Sequence, residues 1–224
     1  MTPPLQVIPC AIIRGRMKRS TSILLASALA IVAALLGAIV SRSLIEGSSG
    51  ESPQLVKGTL IDPPRRLPDV PLVDDSARPG AIGRLAGSWH LVFFGFTNCP
   101  DVCPNTLTVL AAVDRNLADL PAAQRPGVVL VTVDPQRDDP ARLGAYVRFF
   151  DERFTGITGE PEDIAALTQS LGVPVSKVPL DRDTYTIDHG AGIFVIDPEL
   201  RVRAYFSTPH DADVIAGDYR RIVS

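Results

Sequence analysis

The stretch Phe93-Phe94-Gly95-Phe96-Thr97-Asn98-Cys99-Pro100-Asp101-Val102-Cys103-Pro104 closes an apolar run that begins at Leu91, crosses a polar turn carrying two of the chain's three cysteines, and opens an amphipathic pattern. That order reads as a buried strand, a reactive turn and a helix. A thiol between a strand end and a helix start meets unpaired backbone N–H groups and the positive end of the helix dipole, and both favour a thiolate. The turn is therefore a place for soft-metal or redox chemistry.

Outward from the turn, apolar runs alternate with a period of 3.6. The helix that follows carries Leu107, Leu110, Val113 and Leu117 on one face, with Pro104 tolerated in its first turn. Residues 128–133, apolar but for Thr132, read as a second buried strand. Asp139-Pro140 opens a helix, with Asp139 as its cap, that is expected to turn Leu143, Tyr146, Phe149 and Phe150 inward. Residues 161–171 give another, with Ile164, Leu167 and Leu171 aligned and Gly172 as the stop. Residues 193–196, the turn Asp197-Pro198-Glu199-Leu200 and residues 202–206 form a hairpin, and residues 211–222 a closing helix. Upstream, Pro63, Pro64, Pro68 and Pro71 restrict residues 59–79 to short edge strands, with residues 67–73 the expected hairpin arm. Strands separated by helices and then a hairpin predict an α/β domain, a central mixed sheet with helices on both faces.

The chain has 224 residues, 46% hydrophobic and 21% charged, with a formal charge of −3. The first forty residues hold Arg14, Arg16, Lys18 and Arg19 and no acid, so the remaining 18 basic residues face 25 acids and the rest of the chain carries −7. An acidic domain argues against nucleic acid as a partner. Residues 22–40 are almost wholly apolar, and roughly 20 such residues cross a bilayer as a helix. With the basic cluster in front, the positive-inside rule keeps the N-terminus cytoplasmic and sends the rest across. The expected organisation is a cytoplasmic N-terminus (1–20), a transmembrane anchor (21–40), a flexible tether (41–58) and one extracytoplasmic domain (59–224). A cleaved signal is the competing reading, with Ala28-Leu29-Ala30 as a passable cleavage site. The peptide before Met17 looks dispensable, and Cys10, on the reducing side, reads as an incidental thiol.

Cys99 and Cys103 are spaced so that, in a helical winding, their sulfurs point the same way from successive turns. Two thiolates so placed suit Cu(I), with zinc or a disulfide as the competitors. A structural zinc site wants four ligands, and beyond these cysteines the domain offers His90, His189 and His210 alone. A disulfide closing so small a loop constrains the unfolded chain little. A trigonal copper site needs a third ligand. His189, in Asp188-His189-Gly190, reads as part of a loop before residues 193–196, whereas His90 and His210 read as structural. Asp101 would raise the thiol pKa values and attract a cation or a basic partner. Asp134 and Arg137, at the end of a core strand, are placed to brace the ligand loops.

Thr97-Asn98-Cys99-Pro100-Asp101-Val102-Cys103-Pro104, the run Val133-Asp134-Pro135-Gln136-Arg137-Asp138 and the pair Asp188-His189 together resemble the Sco/SenC family, from about residue 64 to the end. These are membrane-anchored copper proteins that assist assembly of the CuA centre of cytochrome c oxidase. The resemblance implies a thioredoxin-like fold, copper held by Cys99, Cys103 and His189, delivery to the oxidase subunit that carries CuA, and an upstream copper donor or thiol reductase. Gly190 stands where the family often has serine, and Asp139 where threonine is common. The rival function is a thiol-disulfide oxidoreductase or thiol peroxidase in which Cys99 and Cys103 attack and resolve, and which would reduce the CuA-site cysteines. The longer cysteine spacing and the absence of proline in His189-Gly190-Ala191-Gly192 favour metal over exchange.

Overall fold

The computed structural model describes residues 53–182 and 184–224, together with residues 31, 32, 34 and 37, which are helical. The chain divides into two compact units, Met1–Ser52 and Pro53–Ser224, and the fold that follows is that of the second. The expected anchor and Cys10 lie outside the described residues, apart from those four positions. Among the described residues no helix is long and apolar enough to cross a membrane.

In chain order the second unit runs β1 (Thr59–Arg66), β2 (Val73–Asp74), α1 (Ala81–Arg84), β3 (His90–Gly95), α2 (Val102–Asn116), β4 (Gly127–Thr132), α3 (Pro140–Phe150), β5 (Thr155–Thr158), α4 (Pro161–Leu171), β6 (Val175–Pro179), β7 (Tyr185–His189), β8 (Ile193–Ile196), β9 (Arg201–Phe206) and α5 (Ala212–Val223). Seven strands form one mixed sheet in the order β1-β9-β8-β3-β4-β5-β2, and β6 and β7 form a separate hairpin. β3, β4 and β5 are parallel, while β8 runs antiparallel beside β3. Because β3 is paired on both sides and covered on both faces, Leu91, Val92, Phe93, Phe94 and Phe96 are all buried.

This topology gathers the site at one end of the sheet. β3 and β4 end together, their exits tied by the Val133 amide donating to Gly95 O at 2.8 Å. β8 runs the other way, pairing Ile193 with Phe93, so the segment entering β8 arrives at the same end. The cysteine turn, residues 134–138 and the chain around His189 thus share one edge although they lie far apart in sequence.

The helices follow their apolar spacing. Leu107, Leu110 and Val113 of α2, and Leu117 at its C-cap, are fully buried, and α2 packs beside α5. Asp139 caps α3, its carboxylate accepting the Arg142 amide at 2.8 Å. α4 stops at Gly172, whose φ of 70° is the left-handed conformation glycine adopts without strain.

Several expectations need correction. Phe149 is 84% exposed: α3 buries Leu143, Gly144 and Val147, and Phe149 lies about 200° round the helix from Val147. Of residues 67–73 only Val73 enters a strand, the two-residue β2 at one edge of the sheet; the other edge is β1, upstream of them. Pro63 and Pro64 fit there because the ladder with β9 is broken between Leu60 and Arg65. β5 and the β6–β7 hairpin carry no pattern strong enough to have been anticipated, since β6 is largely exposed and β5 has four residues.

The end of the expected tether is held by the last helix. The amides of Val56, Lys57 and Gly58 donate to the Asp218 carboxylate at 2.8, 2.9 and 3.0 Å, and Arg221 Nη1 donates to it at 2.8 Å. Burial by itself would raise the pKa of this fully buried acid, but the three amides and the guanidinium hold it below the ordinary value. Asp218→Ala strands those amides and should cost about 3 kcal/mol in urea unfolding at neutral pH. The wild-type contribution is present above the ordinary aspartate pKa of about 3.9 and lost as pH falls through the lowered folded value. Asp218→Asn should therefore flatten the acid limb of a stability-against-pH curve; an unchanged limb would assign acid sensitivity to other carboxylates.

Candidate metal centre

The two cysteines occupy positions set by the start of α2. Val102 and Cys103 form its first residues, so Cys103 points into the core, while Cys99 stays half-buried one turn earlier. Both sulfurs are free thiols, and the Cys103 amide donates to Cys99 Sγ at 3.5 Å. An N–H at a helix start stabilises negative charge on that sulfur. Cys103 itself has no solvent exposure. Burial pushes its thiol well above the usual range, and the neighbouring Cys99 sulfur and Asp138 carboxylate add to the shift.

The sulfur of Cys103 fits because position 95 is glycine. A Cβ there would stand 2.9 Å from Cys103 Sγ and 2.9 Å from the Phe93 ring, closer than such contacts allow. Gly95 is thus required for close approach of the sulfur to the strand.

His189 is the last residue of β7, not part of a loop as its sequence suggested. Its Nε2 lies 3.6 Å from Cys103 Sγ, and its Nδ1 is 3.1 Å from the Gly190 carbonyl. With the Nδ1 proton donated to that carbonyl, Nε2 presents its lone pair to the sulfurs. Phe93 and Phe96 meet the ring edge-on at centroid distances of 6.1 and 5.8 Å. Burial lowers the imidazole pKa, which keeps the ring neutral and able to ligate. Ligand atoms of Cys99, Cys103 and His189 all lie within 4.8 Å of one another, the one such group of three or more metal-ligating side chains among the described residues. Two thiol sulfurs and one neutral imidazole fit a soft, low-coordinate ion such as copper.

The surrounding residues hold this triad. Arg137 pairs with Asp134, donates to Tyr185 O at 3.1 Å and stacks over the Tyr185 ring at 3.8 Å; Tyr185 returns a hydrogen bond to Asp134 at 2.8 Å. The two residues expected to brace a ligand loop therefore brace β7, four residues before His189. Sequence reasoning missed the clamp on the cysteine side. Fully buried Asp138 accepts from the Thr97 amide at 3.0 Å, the Thr97 hydroxyl at 2.5 Å and the Thr132 hydroxyl at 2.7 Å. Arg142 adds bonds to Thr97 Oγ1, at 2.9 Å, and to Asn98 Oδ1. Asp138 stands in the charged run 137–139, which looks like a solvated turn; its position just past a buried strand was the available signal.

The remaining candidates stay apart from the triad. Asp101 is exposed and bonded to Asn105 Nδ2 at 2.5 Å. His90 bonds the Leu85 carbonyl at 3.0 Å, at the other end of β3. His210 precedes α5, whose cap is Asp211.

Comparison with known proteins agrees with this geometry. A mitochondrial SCO2 homologue of Mus musculus is 36% identical over 160 residues, covering 70% of this chain and 62% of the mouse protein. The structure of Arabidopsis thaliana ScoI with copper bound superposes with a TM-score of 0.65 at 29% identity, over 70% of this chain and 97% of that one. Bradyrhizobium japonicum ScoI, also with copper bound, gives 0.62 at 32% identity over 70% and 99%. The mixed sheet flanked by helices is the thioredoxin-like arrangement of these structures, and with the SCO1/SenC model matching residues 67–224, the chain belongs to the SCO1/SenC family.

Proposed function

We propose that this protein is a copper chaperone that holds one copper ion between Cys99, Cys103 and His189 and passes it to the CuA site of cytochrome c oxidase during assembly. The observation that carries the reading is the convergence, within 4.8 Å, of two thiols and one imidazole from segments 86 residues apart. It is supported by solved relatives of the same fold whose structures contain copper.

The three ligands are not equivalent. Cys99 is half-buried and already receives an N–H, whereas Cys103 is fully buried, and that burial raises its thiol pKa. Incoming copper meets Cys99 first. Completing the site requires Cys103 to give up its proton to solvent, after which His189 supplies a neutral nitrogen. Release runs in reverse, an acceptor thiolate displacing the accessible sulfur before the buried one. Cargo transfer of this kind turns over no small substrate.

The domain is proposed to work outside the cytoplasm, tethered by residues 21–40 as a single membrane span with the N-terminus inside. The apolar run behind a basic cluster supports this. The expected partners are the oxidase subunit bearing CuA and an upstream copper donor or thiol reductase.

Residues 53–224, a compact unit of their own, should bind one copper ion per chain. His189→Ala should weaken Cu(II) by more than tenfold while Cu(I) persists on two thiolates; equal retention of both oxidation states, followed by competition titration, would remove histidine from the site. As a check on the oxidoreductase alternative, metal-free protein should reduce a model disulfide no faster than a free dithiol. Substantially faster turnover would place exchange chemistry first. A reporter active only outside the cytoplasm should be active when fused after Ser224, and activity of a cytoplasmic reporter there would reverse the topology.

A further inference from the structure

The hairpin that ends in His189 is seated through one ring. Tyr185 opens β7 and His189 closes it, and residues four apart on a strand leave the same face. Arg137 Cζ stands 3.8 Å from the centre of the Tyr185 ring, and Lys177 Nζ stands 3.5 Å from it. One face has no room for both groups, so the phenol lies between two cations. Lys177 comes from the other strand. It pairs with Ile187, which makes Tyr185 its diagonal neighbour, a distance that a long side chain spans. Its ammonium also donates to Gln136 Oε1 at 3.2 Å.

Gln136 and Arg137 follow β4, so the stack joins three segments: the exit of β4, β7 and β6. The same guanidinium lies 6.0 Å from the Phe96 ring centre, and Phe96 meets the His189 ring edge-on at 5.8 Å. β6 and β7 form a sheet of their own, outside the seven-stranded one. Strand pairing therefore does not seat the hairpin on the body, and side-chain contacts such as this stack take that part. Lys177 is exposed, yet its ammonium is held by a ring and an amide at once.

We propose that Lys177 is a positioning residue for His189: it completes the stack on Tyr185 that seats β7 and so keeps the imidazole toward the cysteines, which sets how well Cu(II) is held relative to Cu(I). This deepens the copper reading and rests on it. Cu(I) persists on two thiolates, whereas Cu(II) also needs the nitrogen. A hairpin seated less firmly costs Cu(II) and spares Cu(I). A cation over an aromatic face at an exposed site is worth about a two- to fivefold change in an equilibrium. Deleting the lysine has a second effect, of opposite sign. Removal of a positive charge from the neighbourhood of the metal favours Cu(II) and lowers the reduction potential, whereas loss of positioning raises it.

The test is Lys177→Met in the full chain, which removes the ammonium and keeps a long side chain. Cu(II) affinity should fall about two- to fivefold with Cu(I) affinity unchanged. The reduction potential of the bound copper should then rise by about 20–40 mV, at 59 mV per tenfold. Imidazole nitrogen coupling in the Cu(II) spectrum should weaken, and Lys177→Arg, which restores a cation over the ring, should return these values to wild type. Tyr185→Leu removes the surface on which the lysine acts. It should move the potential the same way and further, and adding Lys177→Met to it should change nothing more. A potential that stays or falls in Lys177→Met, or effects that add in the double variant, would overturn the proposal. Wild-type copper loading that is abolished by Cys103→Ala shows, in the same experiment, that the copper site itself stands; a wild type that takes up no copper would bring down both readings.

Discussion

A sulfur atom with no access to solvent controls this protein. Cys103 Sγ lies against the backbone of Gly95 and faces His189 Nε2 at 3.6 Å, in a pocket roofed by Phe93 and Phe96. In that setting burial holds the thiol pKa up, outweighing the Phe96 backbone hydrogen bond that acts the other way. A soft cation offsets the cost of burying the anion, by direct bonding to the sulfur and by drawing in the second sulfur and the imidazole. On the proposed copper reading, burial would favour a metal that bonds thiolate strongly, since one that bonds it weakly cannot displace the proton.

The rest of the structure holds the three ligands at that separation. Asp138 accepts three hydrogen bonds from Thr97 and Thr132, fixing the turn before Cys99 to the end of β4. Asp134, Arg137 and Tyr185 form a second clamp, which fixes β7 to the same strand end. Hydrogen bonds to a buried carboxylate are each worth about 1.5–3 kcal/mol, far more than surface pairs, so these clamps set the positions of the ligands. Each ligand-bearing segment is referred to the end of β4, and the ligands are thereby referred to one another. Cys99 remains the half-exposed member of the triad, Cys103 the buried one.

Most of the fold could be read along the chain wherever burial was continuous. β3, β4 and β8 announce themselves by apolar runs, because strands paired and covered on both faces demand apolar residues at nearly every position, β9 by alternation, and α2 and α4 by their spacing. The reading failed where burial is partial. Phe149 shares the helical period only loosely and faces solvent, and β6 is a largely exposed strand that pairs only with β7, which the Arg137 stack holds. Edge strands and short hairpins leave little hydrophobic imprint, so their boundaries, and the placing of His189 on a strand, lay beyond pattern alone.

From its residues alone this chain narrows its chemistry: two closely spaced thiols between a strand and a helix name a soft-metal or redox pair, since hardness and spacing are properties of local sequence. Which imidazole completes the set is a different kind of fact. It depends on β8 running antiparallel to β3, which returns the chain to the cysteine edge, and on a glycine at 95 that leaves room for a sulfur. Contacts between residues 86 apart are created by topology and packing, and those exist only in the folded molecule.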